Sequence, residues 1–242
     1  MPHLDRDGVR IYHEIAGDSG WAAGSPLPLL LSNGYGESSQ MWRPNLAALS
    51  DKRPVITWDM RGHGRSDSPD DPAEYSQAAC VADMAALLDA HGAARAVIGG
   101  LSLGGYLSLA FCRAYPHRVA ALVLCATGPG FRSDQARQEW NDRAAATADR
   151  VARDSPGLAM AARGILTQGD SSVIDSLPSI SVPVLVVVGE RDPAFLAAAD
   201  YMAAKISGAV KVQIPDAGHV CNADQPDLFN EHVLAFLDRL GQ

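Results

Sequence analysis

The sequence predicts an α/β fold, in which a mostly parallel central sheet carries helices on both faces within one large domain. Short apolar runs rich in β-branched residues alternate along the chain with longer segments of helical periodicity. The 242 residues suffice for one substantial core. A hydrophobic content of 47% with 20% charged residues places the chain among ordinary globular proteins.

The strands are expected at the apolar runs, in chain order. Residues 8–15 alternate between polar and apolar side chains, as an edge strand does. Helices are expected between the strands, including 78–90 and 226–240, and the turn-forming residues 21–26 predict a loop. Buried strands are expected near residues 27–32, 54–58, 95–99, 119–125, 182–188 and 210–214.

One connection is too long for this alternation. Roughly fifty residues separate the strand at 119–125 from the strand at 182–188, far beyond an ordinary loop. Helical patterns are predicted within it at 134–153 and 158–167, with a break at 169–172. The connection is either an inserted helical unit or an ordinary connecting helix with a long loop.

A Gly-Leu-Ser-Leu-Gly pentapeptide occupies residues 100–104, between the predicted strand at 95–99 and an apolar helical segment that begins at Gly105. In that context a G-x-S-x-G turn is a nucleophile elbow, which exposes a serine hydroxyl on a strained turn. Small flanking residues let the strand and the helix approach closely. Ser102 is therefore the candidate nucleophile, although the pentapeptide alone would be a weak signal.

A serine nucleophile needs a base and a group that orients the base. Asp192 and His219 each follow a predicted strand, so both lie where parallel strands end at one edge of the sheet. Glu190 and Asp216 are rival acids, the first expected to be ion-paired or solvated and the second to be a turn residue. The alternative role for Asp192 is a helix N-cap or turn residue, which is common for Asp before Pro.

Five segments together resemble the α/β-hydrolase family over nearly the whole chain. They are residues 29–36, the Trp-Asp-Met-Arg-Gly-His-Gly-Arg-Ser segment at 58–66, the serine elbow, Gly-Glu-Arg-Asp at 189–192 and Ala-Gly-His at 217–219. The resemblance implies the α/β-hydrolase fold and a catalytic triad in the chain order Ser102, Asp192 and His219. It implies a structural role for His63. These motifs are specific for the fold and the triad but not for the substrate.

The resemblance also implies an oxyanion hole made of two backbone N–H groups. One belongs to Leu103, which follows the serine, and the other to Tyr35 in the loop after the first long central strand. Asn33 stands where histidine is commonest in the family, which puts in question the hydrogen bonds that hold this loop. The Ser32-Asn33 opening is similar to that of 3-oxoadipate enol-lactonases.

In this family an insertion at residues 128–179 resembles a helical cap over the elbow, here of two to four helices, with the core formed by 1–127 and 180–242. Each cap side chain is more readily explained by packing or solvated surface than by substrate contact. The pocket candidates are Gly34, Trp42, Trp140, Met160, Arg163, Phe195 and Val220, with Ile165, Leu166, Arg137 and Arg143 as further cap candidates.

These residues predict a cofactor-independent serine hydrolase of small carboxylic esters or lactones, with no metal site. The alternatives on the same triad are an enzyme like the enol-lactonases, a C–C bond hydrolase and a menaquinone-pathway lyase, whose usual tyrosine before the serine is absent here. An alternative of another class is a ligand receptor built on this fold, with slow or no turnover. An intact triad favours an enzyme over a receptor.

Charge and composition limit the classes of binding partner expected for this chain. A formal net charge of −8 without a basic cluster disfavours nucleic acid. No apolar stretch approaches the roughly 20 residues that span a bilayer, and residues 1–7 lack the apolar core of a secretory signal. The four cysteines show no metal-ligand spacing, so buried free thiols in a cytoplasmic protein are expected. The oligomeric state is left open.

Overall fold

A computed structural model describes residues 2–17 and 26–241 of the chain, so most of the loop predicted at 21–26 lies outside the described residues. The strands are β1 His3–Arg6, β2 Val9–Ala16, β3 Leu29–Ser32, β4 Val55–Trp58, β5 Ala96–Leu101, β6 Val119–Cys125, β7 Val184–Gly189 and β8 Val210–Ile214. The helices are α1 Arg43–Leu49, α2 Gln77–Ala90, α3 Leu103–Ala114, α4 Asp134–Val151, α5 Pro156–Gly164, α6 Ser172–Ser176, α7 Pro193–Lys205, α8 Cys221–Asp224 and α9 Pro226–Asp238.

The strands of the described residues form one sheet in the order β1-β2-β4-β3-β5-β6-β7-β8. β2 pairs antiparallel with both β1 and β4, whereas all pairs from β4 through β3 to β8 are parallel. This arrangement confirms the predicted α/β fold with a mostly parallel sheet. Because parallel strands end at the same edge, the loops after β3, β5, β6, β7 and β8 converge there.

The strand β1 lies outside the expected strands, because its sequence, His-Leu-Asp-Arg, is largely polar. It pairs with β2 through a two-residue turn at Asp7 and Gly8, whose φ angles are 57° and 91°. An Asp-Gly pair is a favoured hairpin turn, since both central positions need positive φ. This dipeptide is therefore the sequence signal for β1.

Helices cover both faces of the sheet. Leu30 and Ile98 belong to the apolar core shared with α2 and α3, while their neighbours Leu29 and Val97 belong to the core on the face of α1 and α9. Successive residues of a strand point to opposite faces, so a strand covered on both sides must be apolar throughout. This is why β3, β6 and β7 are nearly continuous apolar runs in the sequence.

The long connection between β6 and β7 contains α4, α5 and α6 within the described residues. α4 and α5 correspond to the two predicted helices, although α5 begins at Pro156 and ends at Gly164, before the predicted end. α6 is an additional helix of one turn and a half that begins at the predicted break. The division of the chain into core and cap stays a prediction.

A buried ionic network holds the loop after β4 against α2. The fully buried Asp83 carboxylate accepts hydrogen bonds from Arg61 Nε at 2.7 Å and Arg61 Nη2 at 2.9 Å, and from an arginine of β1. Asp59 is also fully buried and accepts from Ser39 N at 2.6 Å and Arg65 N at 2.8 Å. A buried charge is tolerated only when it is paired and hydrogen-bonded, so both carboxylates order the loops around them.

The cysteines are free and buried. Burial raises the pKa of the Cys112 thiol to about 11 and that of Cys221 to about 12, so both stay protonated at neutral pH. No helix in residues 2–17 and 26–241 combines the length and apolarity needed to cross a membrane.

Candidate active site

Ser102 lies on the tight turn between β5 and α3. Its φ of 55° and ψ of −116° place a non-glycine residue in a strained backbone region. Ser102 N donates to Cys125 O at 2.9 Å, and Thr127 Oγ1 donates to Ser102 O at 2.7 Å. A glycine is required at position 104, because a Cβ there would lie 2.3 Å from Ser32 O. The strand, the loop after β6 and this close approach together hold the elbow.

Asp192 and His219 meet across the loops that follow β7 and β8. Asp192 Oδ2 lies 2.8 Å from His219 Nδ1, and only 6% of the Asp192 side chain is exposed. Asp192 also precedes Pro193 at the start of α7, yet its side chain caps no N–H of that helix. The carboxylate therefore orients the imidazole. With Nδ1–H donating to it, Nε2 is left as the acceptor nitrogen.

The rival acids, Glu190 and Asp216, make their contacts away from His219. Glu190 Oε2 accepts from Asp216 N at 3.0 Å, and the Asp216 carboxylate pairs with Arg191. Asp216 has a φ of 58°, which fits the predicted turn residue. Both side chains are exposed, and their contacts brace the loop surface beside the imidazole.

Phe195 covers the imidazole from α7. Its ring stacks on that of His219 with centroids 4.9 Å apart and planes inclined by 27°. Because Phe195 follows Asp192 by three residues, one helix start positions both the carboxylate and the ring that packs on the imidazole. The imidazole thus has an ordered carboxylate on one nitrogen and an apolar face on one side.

The loop after β3 passes beside Ser102. A Cβ built on Gly34 would lie 3.6 Å from Ser102 Cβ. Asn33 Nδ2 donates to Glu37 O at 2.7 Å and to Gly34 O at 3.0 Å. The amide at position 33 therefore holds the loop at the place where the family commonly has histidine.

The predicted oxyanion donors are the backbone N–H groups of Leu103 and Tyr35. Leu103 is the first residue of α3, and the first N–H groups of a helix have no partner within it. Tyr35 follows Gly34 in the turn after β3. Among the described residues, neither N–H donates to another backbone carbonyl outside the regular elements. That both donate to an oxygen bound beside Ser102 stays a prediction.

The Tyr35 side chain is anchored on two sides. Its hydroxyl donates to Leu158 O at 3.0 Å, and its ring packs edge-on against His63 with centroids 5.6 Å apart. His63 is almost fully buried, and its Nδ1 lies 3.0 Å from Arg61 O. Burial lowers the pKa of His63, so its ring is neutral at neutral pH. These contacts agree with the structural role expected for His63.

A cavity of about 600 Å³ opens at the serine elbow. Among the predicted residues, Tyr35, Leu103, Trp140 and Phe195 line it together with Ser102. Within the described part of the chain, no group of three or more His, Cys, Asp and Glu side chains converges as a metal site would require. The remaining lining residues are Tyr106, Thr127, Gly128, Pro129, Gly130, Phe131, Arg143, Leu166, Gln168, Ala194 and Ala198.

Two pocket candidates near the elbow lie behind the cavity wall. Trp42 is fully buried and packs against Phe229 with ring centroids 6.2 Å apart, in the core on the α9 face. Trp42 therefore belongs to this core and is not among the residues that line the cavity. Gly34 contributes backbone beside Ser102, and its N–H donates to Met41 Sδ at 3.4 Å.

The other pocket candidates from the sequence that do not line the cavity lie away from it. Met160 lines a separate cavity of about 440 Å³ between α5 and the loop after β4. Arg163 extends outward and pairs with Asp149 of α4. Val220 packs against the core on the α9 face. Among the further candidates Ile165 is fully buried in the core, so the cavity receives Leu166 and Arg143 instead.

The sequence reasoning missed Tyr106, Phe131 and Gln168. Tyr106 follows Ser102 by four residues on α3, so helical spacing to the serine was the signal for it. Burial raises the pKa of its phenol to about 12. Phe131 and Gln168 belong to irregular segments before α4 and after α5, where no periodicity indicates a direction.

Comparison with known proteins agrees with this fold. Residues 28–162, more than half of the chain, match the family described as the alpha/beta hydrolase fold. A Bacillus subtilis protein provisionally named 2-succinyl-6-hydroxy-2,4-cyclohexadiene-1-carboxylate synthase is 30% identical, with 96% of each chain covered. The 3-oxoadipate enol-lactonase 2 of Acinetobacter baylyi is 27% identical over 88% of this chain and 89% of its own.

Among solved structures, a thermophilic esterase from Thermogutta terrifontis superposes with a TM-score of 0.85 at 28% identity, covering 100% of this chain and 98% of the esterase. The fold, the serine elbow and these similarities define a hydrolase scaffold. The chain belongs to the α/β-hydrolase family.

Proposed function

We propose that the protein is a cofactor-independent serine hydrolase of small carboxylic esters or lactones. The observation that supports the proposal is the 2.8 Å contact between His219 Nδ1 and Asp192 Oδ2, in a pair that packs on Phe195, a residue that lines the same cavity as the strained serine elbow. A serine elbow alone could be structural. An imidazole oriented by a buried carboxylate supplies the base that a serine hydroxyl needs.

In the first half of the reaction Ser102 Oγ attacks the ester carbonyl carbon while His219 Nε2 takes its proton. Asp192 keeps the Nδ1–H tautomer and stabilises the imidazolium that forms. The Tyr35 and Leu103 N–H groups donate to the oxyanion of the tetrahedral intermediate. His219 then returns the proton to the leaving alcohol oxygen, and the acyl group remains on Ser102.

In the second half, water attacks the acyl-enzyme. His219 accepts a proton from that water, the oxyanion forms again between the two N–H groups, and collapse of the intermediate returns the proton to Ser102. The reaction requires His219 Nε2 within hydrogen-bond reach of Ser102 Oγ, a contact that commonly tightens when substrate binds.

The cavity supports small, largely apolar substrates. Phe131, Trp140, Leu166 and Phe195 give it an apolar wall around Ser102. Because α4 and the segment after α5 supply part of this wall, we propose that residues 128–179 act as a cap that shapes specificity. A volume of about 600 Å³ accommodates a small ester together with water.

A second candidate is lactone hydrolysis of the enol-lactonase kind. It is favoured by Asn33, whose amide holds the oxyanion loop, and by the relative named 3-oxoadipate enol-lactonase 2. The other candidates are a C–C bond hydrolase, a menaquinone-pathway lyase and a receptor. A panel of p-nitrophenyl esters, lactones and a meta-cleavage diene separates the enzymes, while tight stoichiometric retention of ligand without turnover would indicate a receptor.

We also propose a cytoplasmic location. Four free, buried cysteines without a disulfide fit a reducing compartment. The expected partner is the small-molecule substrate.

The decisive experiment is covalent labelling with a fluorophosphonate probe. We expect one label on Ser102, and we expect Ser102→Ala to lose about 10⁴-fold or more in kcat with its fold retained. Ser179→Ala is the matched control, because Ser179 is exposed and its hydroxyl only donates to Ser176 O at 2.7 Å. Labelling at another residue, or full activity in Ser102→Ala, would refute the serine-hydrolase proposal.

A further inference from the structure

The oxyanion donor expected at Leu103 belongs to the peptide unit that joins Ser102 to Leu103. The carbonyl of this unit is Ser102 O, and its N–H is the Leu103 N–H. The described residues contain no cis peptide bond, so this carbonyl and this N–H point in opposite directions within one plane. Any contact that holds Ser102 O therefore also sets the direction of the Leu103 N–H.

The Ser102 carbonyl is held from α3 and from the loop after β6. Tyr106 N donates to Ser102 O at 3.1 Å, and Thr127 Oγ1 donates to it at 2.7 Å. The first contact is the ordinary bond of a helical turn, whereas the second comes from a distant segment of the chain. A hydroxyl has one proton to donate, and Gly128 O lies at 3.5 Å from Thr127 Oγ1, so the proton is directed at the nearer Ser102 O.

A strained turn brings Thr127 to the elbow. The preceding residue, Ala126, has a φ of 42°, in the left-handed region that residues with a side chain rarely adopt. Its N–H donates to Val187 O at 2.8 Å. Backbone strain of this kind costs free energy and persists only where surrounding contacts hold it. The turn ends β6 and leaves Thr127 buried, with 2% of its surface exposed.

A glycine of α3 makes room for the threonine. A Cβ built on Gly105 would lie 2.6 Å from Thr127 Cγ2 and 3.0 Å from Thr127 Oγ1. A side chain at position 105 would therefore displace the hydroxyl from Ser102 O. The strained turn at Ala126 and the missing side chain at 105 are separate features of the chain, and both fix the position of the same hydroxyl.

We infer that Thr127 is a positioning residue for the oxyanion hole, which acts through the peptide unit between Ser102 and Leu103. The inference deepens the proposed function and rests on it. By holding the carbonyl, the hydroxyl keeps the Leu103 N–H directed at the place where the oxyanion develops. It also strengthens that N–H as a donor, because hydrogen bonds arranged in a chain polarise one another.

Thr127→Val tests the inference, because it removes the hydroxyl and nearly keeps the shape of the side chain. Ser102 O retains the hydrogen bond from Tyr106 N, so the buried carbonyl keeps a partner and the elbow should fold. For p-nitrophenyl butyrate we expect kcat to fall about tenfold, as the loss of one hydrogen bond allows, with KM within about twofold of the wild type. Thr127→Ser keeps the hydroxyl and should retain about half of the wild-type kcat or more.

A second substrate separates a misdirected oxyanion donor from a displaced serine. In p-nitrophenyl thionobutyrate a sulfur atom replaces the carbonyl oxygen, and sulfur is the weaker hydrogen-bond acceptor. Its hydrolysis therefore gains less from the Leu103 N–H. Thr127→Val should lower the ratio of kcat/KM for the oxygen ester to kcat/KM for the thiono ester by about fivefold, whereas displacement of Ser102 would slow both esters equally.

Ser108→Ala is the matched control. Ser108 is fully buried, and its hydroxyl donates to Gly104 O at 2.8 Å, which is another carbonyl of the first turn of α3. The change removes a comparable hydrogen bond from a different peptide unit. We therefore expect kcat and the ratio of the two esters to change less than about twofold in this variant.

The outcomes separate the inference from the proposed function. Thr127 borders the cavity, so a direct contact with substrate is its competing role, and that role would change KM. A rise in KM without a fall in kcat, an unchanged ratio of the two esters in Thr127→Val, or a Thr127→Ser variant as slow as Thr127→Val would overturn the inference. Failure of the wild type to hydrolyse p-nitrophenyl butyrate would instead overturn the proposed function.

Discussion

Replacing Asp192 by asparagine tests the triad at the member for which the sequence offers competitors. Asparagine has nearly the same shape, so the buried loop between β7 and α7 should fold around it. The change removes the carboxylate that accepts the hydrogen bond from His219 Nδ1 at 2.8 Å. An amide that donates to Nδ1 favours the tautomer with hydrogen on Nε2, and that nitrogen can then no longer take the serine proton.

The expected magnitude follows from this tautomer change. Loss of the orienting carboxylate in a serine triad costs about 10⁴-fold in kcat, which corresponds to about 5.5 kcal/mol of transition-state stabilisation. The 6% exposure of the Asp192 side chain argues for the full effect, because little water reaches the carboxylate to replace it. KM should change little, since the carboxylate does not line the cavity.

Glu190→Gln and Asp216→Asn are the matched controls. Both carboxylates are exposed and make their contacts within the loop surface, so each change should cost about tenfold or less. The assay is the initial rate of p-nitrophenyl butyrate hydrolysis, with circular dichroism to confirm the fold of each variant. A loss at Glu190 comparable with that at Asp192, or a loss below tenfold at Asp192, would refute the assignment of the acid.

Three further predictions concern stability and reactivity. Asp83→Ala should lower the free energy of unfolding by about 3 kcal/mol in urea titrations, because the buried Arg61 guanidinium loses both hydrogen bonds to Asp83 and keeps only the half-exposed Glu74 as a carboxylate partner. Asp89→Ala at an exposed pair should cost less than about 1 kcal/mol, and equal losses would contradict this reasoning. Burial lowers the pKa of His63 in the folded protein below its value of about 6.5 in the unfolded chain. The stability that the neutral, buried His63 contributes is therefore complete above about pH 6.5 and is lost as the pH falls below it. Denaturant midpoints should accordingly decrease from about pH 7.5 to about pH 5.5. The raised pKa values of Cys112 and Cys221, about 11 and about 12, predict that iodoacetamide at pH 8 alkylates these thiols only after unfolding, which mass spectrometry measures; rapid native alkylation would be inconsistent with their burial.

Much of the fold could be predicted because its signals are local. Strands covered on both faces must be apolar at every position, so the runs near β3, β6 and β7 stand out from the helices that flank them. The strand β1 has no such signal. Its residues are largely polar, and its local signal is the Asp7-Gly8 turn through which it pairs with β2.

The candidate site likewise has one part with a local sequence signal and one part without. The elbow at Ser102 has a local signature, because the glycine at 104 is required by contact with the preceding loop. The choice between Asp192 and Glu190 is not local, since both follow β7 within three residues. It depends on the turn that buries Asp192 toward His219 and leaves Glu190 bonded to the next loop.

By itself the sequence determined the alternation of strands and helices from β2 onward, the position of the elbow serine, and the strand ends from which an acid and a histidine emerge. These properties follow from neighbouring residues in the chain, because periodicity and turn chemistry act over a few positions. The direction of Trp42 into the core and of Gln168 into the cavity was decided by tertiary structure. The direction of a side chain outside a periodic element depends on contacts between distant segments, such as the hydrogen bonds from α4 that clamp Gln168, and no local pattern encodes them.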